Sequence, residues 1–229
     1  MRSVASMGLF GSLAVLAMTT SGCAGAAGDG AMLPSRSGAD VAITAPERAQ
    51  VMAGALVTRP LDFDRGGAHY VGGIATGVVP AAATDVLAAM DDMGALGTML
   101  PRTKRATLID SHGAARRIEL RQGNSIIDAT YTVELAPGAT PGELQFHLDP
   151  SRPHDIEDVY GYFKVERVDA RHSLVTVAAA VDVGSGLTAM LFGKRVQDVI
   201  LSAPVAMRDY FARRDHLPSD TVVAQNDAR

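Results

Sequence analysis

Tryptophan is absent from the 229 residues, and all aromatics together make up 5%. That leaves little material for a surface that stacks sugars or bases. A single cysteine excludes an internal disulfide framework, and with it any cysteine-built zinc site within one chain. Positive charge is not in excess: 21 Lys and Arg stand against 25 Asp and Glu, for a net charge of −4. No nucleic-acid partner is expected from such a balance. Only the N-terminus carries a long apolar stretch, which excludes a chain that crosses a membrane many times by helices.

Catalytic signatures are missing as well. There is no GxSxG elbow, and Gly184-Ser185-Gly186 has the wrong spacing and reads as a helix N-cap. The run from Gly72-Gly73 to Gly77 lacks the Gly-Lys-Ser/Thr ending of a phosphate loop. HExxH is absent, and the histidines at 69, 112, 147, 154, 172 and 216 are scattered, mostly in or beside expected turns. His154, Asp155, Glu157 and Asp158 cluster in one segment, which reads as a solvated loop rather than a divalent-cation site. Neither a catalytic set nor a metal or cofactor is expected. What is present is ordinary globular material, 47% hydrophobic and 20% charged with a mean hydropathy of +0.12, in a length suited to one or two domains.

The N-terminus reads as an address. Arg2 is a short positive region, Met7 to Met18 is an apolar stretch too short to span a bilayer, and Thr19, Thr20, Ser21 and Gly22 lead to Cys23. Ser21-Gly22-Cys23 resembles a bacterial lipoprotein signal, although Thr20 stands where leucine is usual. The resemblance implies cleavage after residue 22 and acylation of Cys23. The alternative is an ordinary secretory signal cut within 22–27. Removal of residues 1–22 takes away Arg2 and no acid, leaving −5, so acyl chains rather than charge would hold the protein at a membrane. Residues 23–46, rich in Ala, Gly and Ser, read as a flexible tether. In lipoproteins an Asp after the cysteine favours retention at the inner membrane, so the resemblance, with Ala24 there, implies anchoring at the outer membrane, on the periplasmic side of the envelope.

One domain is expected over 47–215, with a polar tail at 216–229. Residues 47–57 read as a short helix or strand, and 58–67, with Pro60 and Gly66-Gly67, as irregular. A strand at 68–79 carries Gly72-Gly73 as a bulge or sharp bend. Pro80 opens a helix ended by Asp91-Asp92, and a second short helix runs from Met93 to Leu100 before Pro101. The period then changes from helical to alternating: strands are expected at 103–110, 115–122, 126–135, 143–148, 157–167 and 173–183. Ile127, Ala129, Tyr131, Val133 and Leu135 alternate with polar residues, the pattern of a half-buried strand. A long helix from about 186 to 214 closes the domain, with a kink or break at Pro204.

Several segments in this order resemble the START/Bet v 1-like superfamily: Val78-Val79-Pro80 before its helix, Leu96 to Leu100 closed by Pro101-Arg102, the Arg117–Gln122 strand, Asp155 to Gly161 leading to Phe163, and Leu174 to Asp182 ending in Gly184 before the long helix. The resemblance covers about residues 67–214. It implies an α+β helix-grip fold, a curved antiparallel sheet of six to seven strands wrapped on the long C-terminal helix, with two short helices after the first strand. It further implies a cavity between sheet and helix. Small inward residues would open it, namely Ala129, Gly161 and Ala178 or Ala179. Leu120, Ile127, Tyr131, Phe146, Phe163, Val177, Met190, Ala203 and Met207 would line it, with Gln122 as a polar helper to Tyr131. A hydrophobic small molecule, such as a lipid, quinone or polyketide-like compound, is the implied partner. Two alternatives stay open at this point. One is an envelope protein with a filled core that binds a protein partner. The other is a cyclase/aromatase-type enzyme moving protons through Tyr131 or a loop histidine.

Overall fold

A computed structural model describes residues 43–124, 128–182, 184 and 187–215. The signal segment, Cys23, the tether up to residue 42, Ile127, the Ser185-Gly186 cap and the tail lie outside these residues.

The first element is a helix, α1 (Ala45–Met52). Thr44 caps it: its hydroxyl accepts from Glu47 N while the Glu47 carboxylate takes the Thr44 N–H at 2.7 Å. This reciprocal box satisfies donors that the first turn leaves without partners. The Glu47 carboxylate also accepts from Arg59 at 2.6 Å, which ties α1 to the next strand.

That strand, β1 (Val57–Arg65), replaces the irregular segment expected there. Pro60 is tolerated because β1 is the edge of the sheet, where a missing N–H breaks no ladder on the open side. Gly66 and Gly67, with φ of +62° and +87°, form the two-residue turn into β2 (Ala68–Val79); positive φ at both positions suits a tight hairpin. The pairing of β2 runs without a register shift through Gly72 and Gly73 on both sides, so the expected bulge is absent. These glycines allow close approach instead. A Cβ on Gly72 would lie 2.0 Å from the Ala179 carbonyl oxygen, and one on Gly73 would lie 2.5 Å from Leu201 Cδ2.

Pro80 precedes rather than opens the next helix, α2 (Ala83–Asp91), whose N-cap is Ala82. Asp92 ends α2 and caps α3 (Met93–Met99), accepting from Gly94 N and Ala95 N at 2.8 and 3.0 Å. Six strands follow: β3 (Thr103–His112), β4 (Ala115–Gly123), β5 (Asp128–Pro137), β6 (Glu143–Leu148), β7 (Asp158–Arg167) and β8 (Ser173–Asp182). They form an antiparallel meander. β8 closes back onto β2, giving the order β1-β2-β8-β7-β6-β5-β4-β3. The curved sheet thus has eight strands, β1 being the addition to the six or seven expected.

The C-terminal helix is broken where Pro204 places the break. α4 (Leu187–Leu201) and α5 (Ala203–Asp215) meet at Ser202. Pro204 has no N–H to donate, so its chain neighbours restart the ladder: Val205 N and Ala206 N both bond to the Ser202 carbonyl, at 3.0 and 3.1 Å. α4 lies on β2, with Gln197 donating to the Leu61 carbonyl of the edge strand at 3.0 Å. α5 packs on β2 and α3.

The main core lies between the concave face and the helices, from Val86, Met90 and Met99 to Val175, Met207 and Phe211. On the opposite face Tyr162 packs with Leu61, Ile74 and Ala178, and Tyr70 with Tyr160 and Ala180. Burial, then the acidic partner Asp158 at 2.8 Å, pushes the Tyr70 phenol up to about 12.

Candidate functional site

The concave face of β4, β5, β7 and β8 does not meet the helices everywhere. A cavity of about 760 Å³ lies between them, within the size range of small-molecule pockets. Leu120, Val133, Phe163 and Val177 form part of its sheet wall, Leu96 of α3 and Leu100 just past its end close one side, and Val196, Val199 and Ile200 of α4 face it from above. A shallower recess of about 450 Å³ sits on the surface between α2 and the β5–β6 turn.

Of the residues expected to line a cavity, Leu120, Ala129, Tyr131, Phe146, Phe163, Val177 and Ala203 border this one, as does Ala179. Others lie elsewhere. Gly161 is not in the wall. A Cβ there would meet the Ala178 carbonyl oxygen at 2.1 Å and Phe146 Cζ at 2.7 Å, so the missing side chain lets a strand and a ring come close rather than opening a void. Met207 is fully buried in the core, because it lies on α5, beyond the break. Ala178 points to the opposite face, beside Tyr162. Ile127, and the side chain of Met190 within α4, fall outside the described residues.

One polar chain crosses the inner wall. Thr103 of β3 stands opposite Gln122 of β4, and Gln122 is diagonal to Tyr131, since Leu120 and Tyr131 pair directly. Alternation therefore sends all three side chains to one face. The Tyr131 hydroxyl donates to Gln122 Oε1 at 2.5 Å, and Gln122 Nε2 donates to Thr103 Oγ1 at 2.7 Å. Burial raises the Tyr131 phenol above its ordinary pKa of 10.0, so it stays neutral across the physiological range and serves as a hydrogen-bonding group.

Among the described lining residues charge is confined to the rim, where Arg102, Asp128, Asp155, Arg195 and Asp198 are exposed. Lys104 first and Arg121 second hold the Asp128 carboxyl below its ordinary range. Asp155 accepts from Thr130 N at 2.8 Å, and His154 Nδ1 lies 2.8 Å from the Ile156 carbonyl oxygen, so both are engaged in shaping their loop. Arg102 is, among the described residues, the one non-glycine with positive φ (57°), and its carbonyl takes the Gly123 N–H at 2.9 Å. Sequence periodicity could not reveal these rim residues as one group, because they come from two loops, the start of β5 and the exposed flank of α4.

No family model and no curated protein matches the chain. Solved structures do. A STAR-related lipid transfer protein from Xanthomonas axonopodis is similar at 14% identity and a TM-score of 0.56, over 69% of this chain and 98% of that one. The Zhui aromatase/cyclase from a Streptomyces species is similar at 13% and 0.52, over 70% and 94%. A START superfamily protein from Mycobacterium smegmatis is similar at 12% and 0.52, over 69% and 98%. At these identities the likeness is one of fold.

Proposed function

We propose that this chain, whose fold is the helix-grip fold of START/Bet v 1-like proteins, binds a hydrophobic small molecule in the cavity between its sheet and α4, and carries or sequesters it in the cell envelope. The observation that supports the binding reading most is the cavity itself: about 760 Å³, walled mainly by aliphatic and aromatic side chains, with charge, among the described lining residues, only at the rim. Burial of apolar ligand surface there would supply affinity at roughly 25 cal/mol per Å², less the cost of ordering. One solved neighbour is described as a lipid transfer protein and another as an aromatase/cyclase; both descriptions are compatible with an apolar occupant here. Tyr131 is the one ionisable group on the described inner wall, which favours binding over proton transfer.

The exposed rim of Arg102, Asp128, Asp155, Arg195 and Asp198 is the way in that this reading uses. Export and acylation at Cys23 complete the reading, placing the domain on a short tether at the periplasmic side of the outer membrane. No described helix is long and apolar enough to cross a membrane.

The test of binding is a titration with an environment-sensitive anilinonaphthalene probe, which should brighten and saturate at one equivalent. A probe that stays dark with the folded protein contradicts the reading. The test of the address is labelling with radioactive palmitate in a bacterial host. Wild type should take up label and the Cys23→Ser variant none; equal labelling of both would remove the anchor from the proposal.

A further inference from the structure

The polarity of the hydrogen bonds inside the cavity constrains what the occupant carries. A phenol has one hydrogen to donate and lone pairs to accept with. The Tyr131 hydrogen is committed to Gln122 Oε1, whose amide group is held in turn by Thr103. Tyr131 borders the cavity, and in this arrangement its Oη keeps acceptor capacity and has no hydrogen to give. A ligand ketone, ester or ether oxygen placed there would set acceptor against acceptor. A carboxylate would fare worse, because the cations nearest the cavity, Arg102 and Arg195, sit on the exposed rim and not in the inner wall.

Resting on the reading that the cavity holds an apolar small molecule, we infer that Tyr131, oriented by Gln122 and Thr103, accepts a hydrogen bond from a hydroxyl of the ligand, which makes the ligand class a long-chain or polycyclic alcohol or phenol. Gln122 and Thr103 are positioning residues in this arrangement, and Tyr131 is the contact. The sheet registers the group: Thr103, Gln122 and Tyr131 lie across three consecutive strands, so the acceptor is fixed on rigid backbone.

The experiment is competition against the anilinonaphthalene probe, on the full chain, by hexadecanol, its methyl ether and hexadecanoic acid. The alcohol and the ether share the chain and differ in the hydrogen donor. Wild type should prefer the alcohol over the ether by about tenfold, the effect of one neutral buried hydrogen bond, and bind the acid more weakly than either. In Tyr131→Phe the preference should collapse to about unity with ether affinity kept. In Gln122→Leu the tyrosine hydrogen is released and the ether should gain on the alcohol. Circular dichroism of both variants verifies the fold. Equal affinity for alcohol and ether in wild type, or a preference for the ether, overturns this inference and leaves the cavity reading standing. Failure of all three compounds, with the probe itself unbound, overturns the cavity reading beneath it.

Discussion

Two regions of one concave face are covered by the same helical layer and end differently. Over β2 the face is closed. Gly73 lies under Leu201, a Cβ on Gly77 would meet Pro204 Cβ at 3.2 Å, and one on Gly193 of α4 would meet Val71 Cγ1 at 3.3 Å. Over β4 and β5 the face is open: Leu120, Ala129 and Tyr131 border a void that Val196 and Val199 face from the helix. Small residues on β2 fix how near the helices sit at one place. The curved sheet then carries β4 and β5 away from them, and the side chains there do not fill the gap. The cavity thus depends on how near β2 holds the helices and on lining side chains too small to fill the gap.

This contrast can be broken at either end. The largest expected effect is in the closed region, where truncation leaves a hole with nothing to collapse into it: Met207→Ala, at a fully buried position, should cost about 3 kcal/mol in urea unfolding. Adding bulk to the closed region comes next. Gly73→Val would press a side chain on Leu201 and on the Arg59 carbonyl oxygen, 2.8 Å from the added Cβ, and should cost about 2 kcal/mol while weakening probe binding through displacement of α4. Adding bulk to the open region should do the reverse. Ala129→Leu, on the cavity wall, should leave the urea midpoint unchanged or raised and lower probe affinity about tenfold, the equivalent of about 1.4 kcal/mol. If Ala129→Leu unfolds the protein, that region is packed and the contrast is lost.

The smallest effect is at the edge, away from both regions. Arg59 first, then Thr44, holds the Glu47 carboxyl at about 2, below its ordinary 4.5. A carboxyl depressed by folding stabilises above its unfolded pKa, and that contribution fades as pH falls from 4.5 toward 2. Glu47→Gln should therefore lower the melting temperature slightly at pH near neutrality and converge with wild type in acid. A constant offset across that window would show that Arg59 and Thr44 do not hold the carboxyl.

Much of this architecture was legible in the chain because alternation names faces. The strand at Glu143–Leu148 has the bounds read from its sequence, and the break in the last helix follows from Pro204 lacking an N–H. β1 was not legible, since Pro60 interrupts its pattern and only membership of an edge makes that harmless. In the site, parity put Ala129 and Tyr131 on the right face but says nothing of depth. Gly161 shares a strand face with Val159 and Phe163 yet lies beneath Phe146, and Met207 shares the apolar stripe of the last helix yet packs past the break. The link from Tyr131 to Gln122 was foreseeable as a diagonal pair on neighbouring strands; the rim was not, being assembled from parts far apart in sequence.

The central claim is that an apolar ligand occupies the space beneath α4. The chain contains no tryptophan, so a Val199→Trp variant would carry a single reporter on the helix that faces the cavity. Titration with a brominated long-chain alcohol should quench this tryptophan in a saturable way, complete at one equivalent, and excess hexadecanol should restore the emission. A folded variant whose emission is untouched by the brominated alcohol would contradict the account.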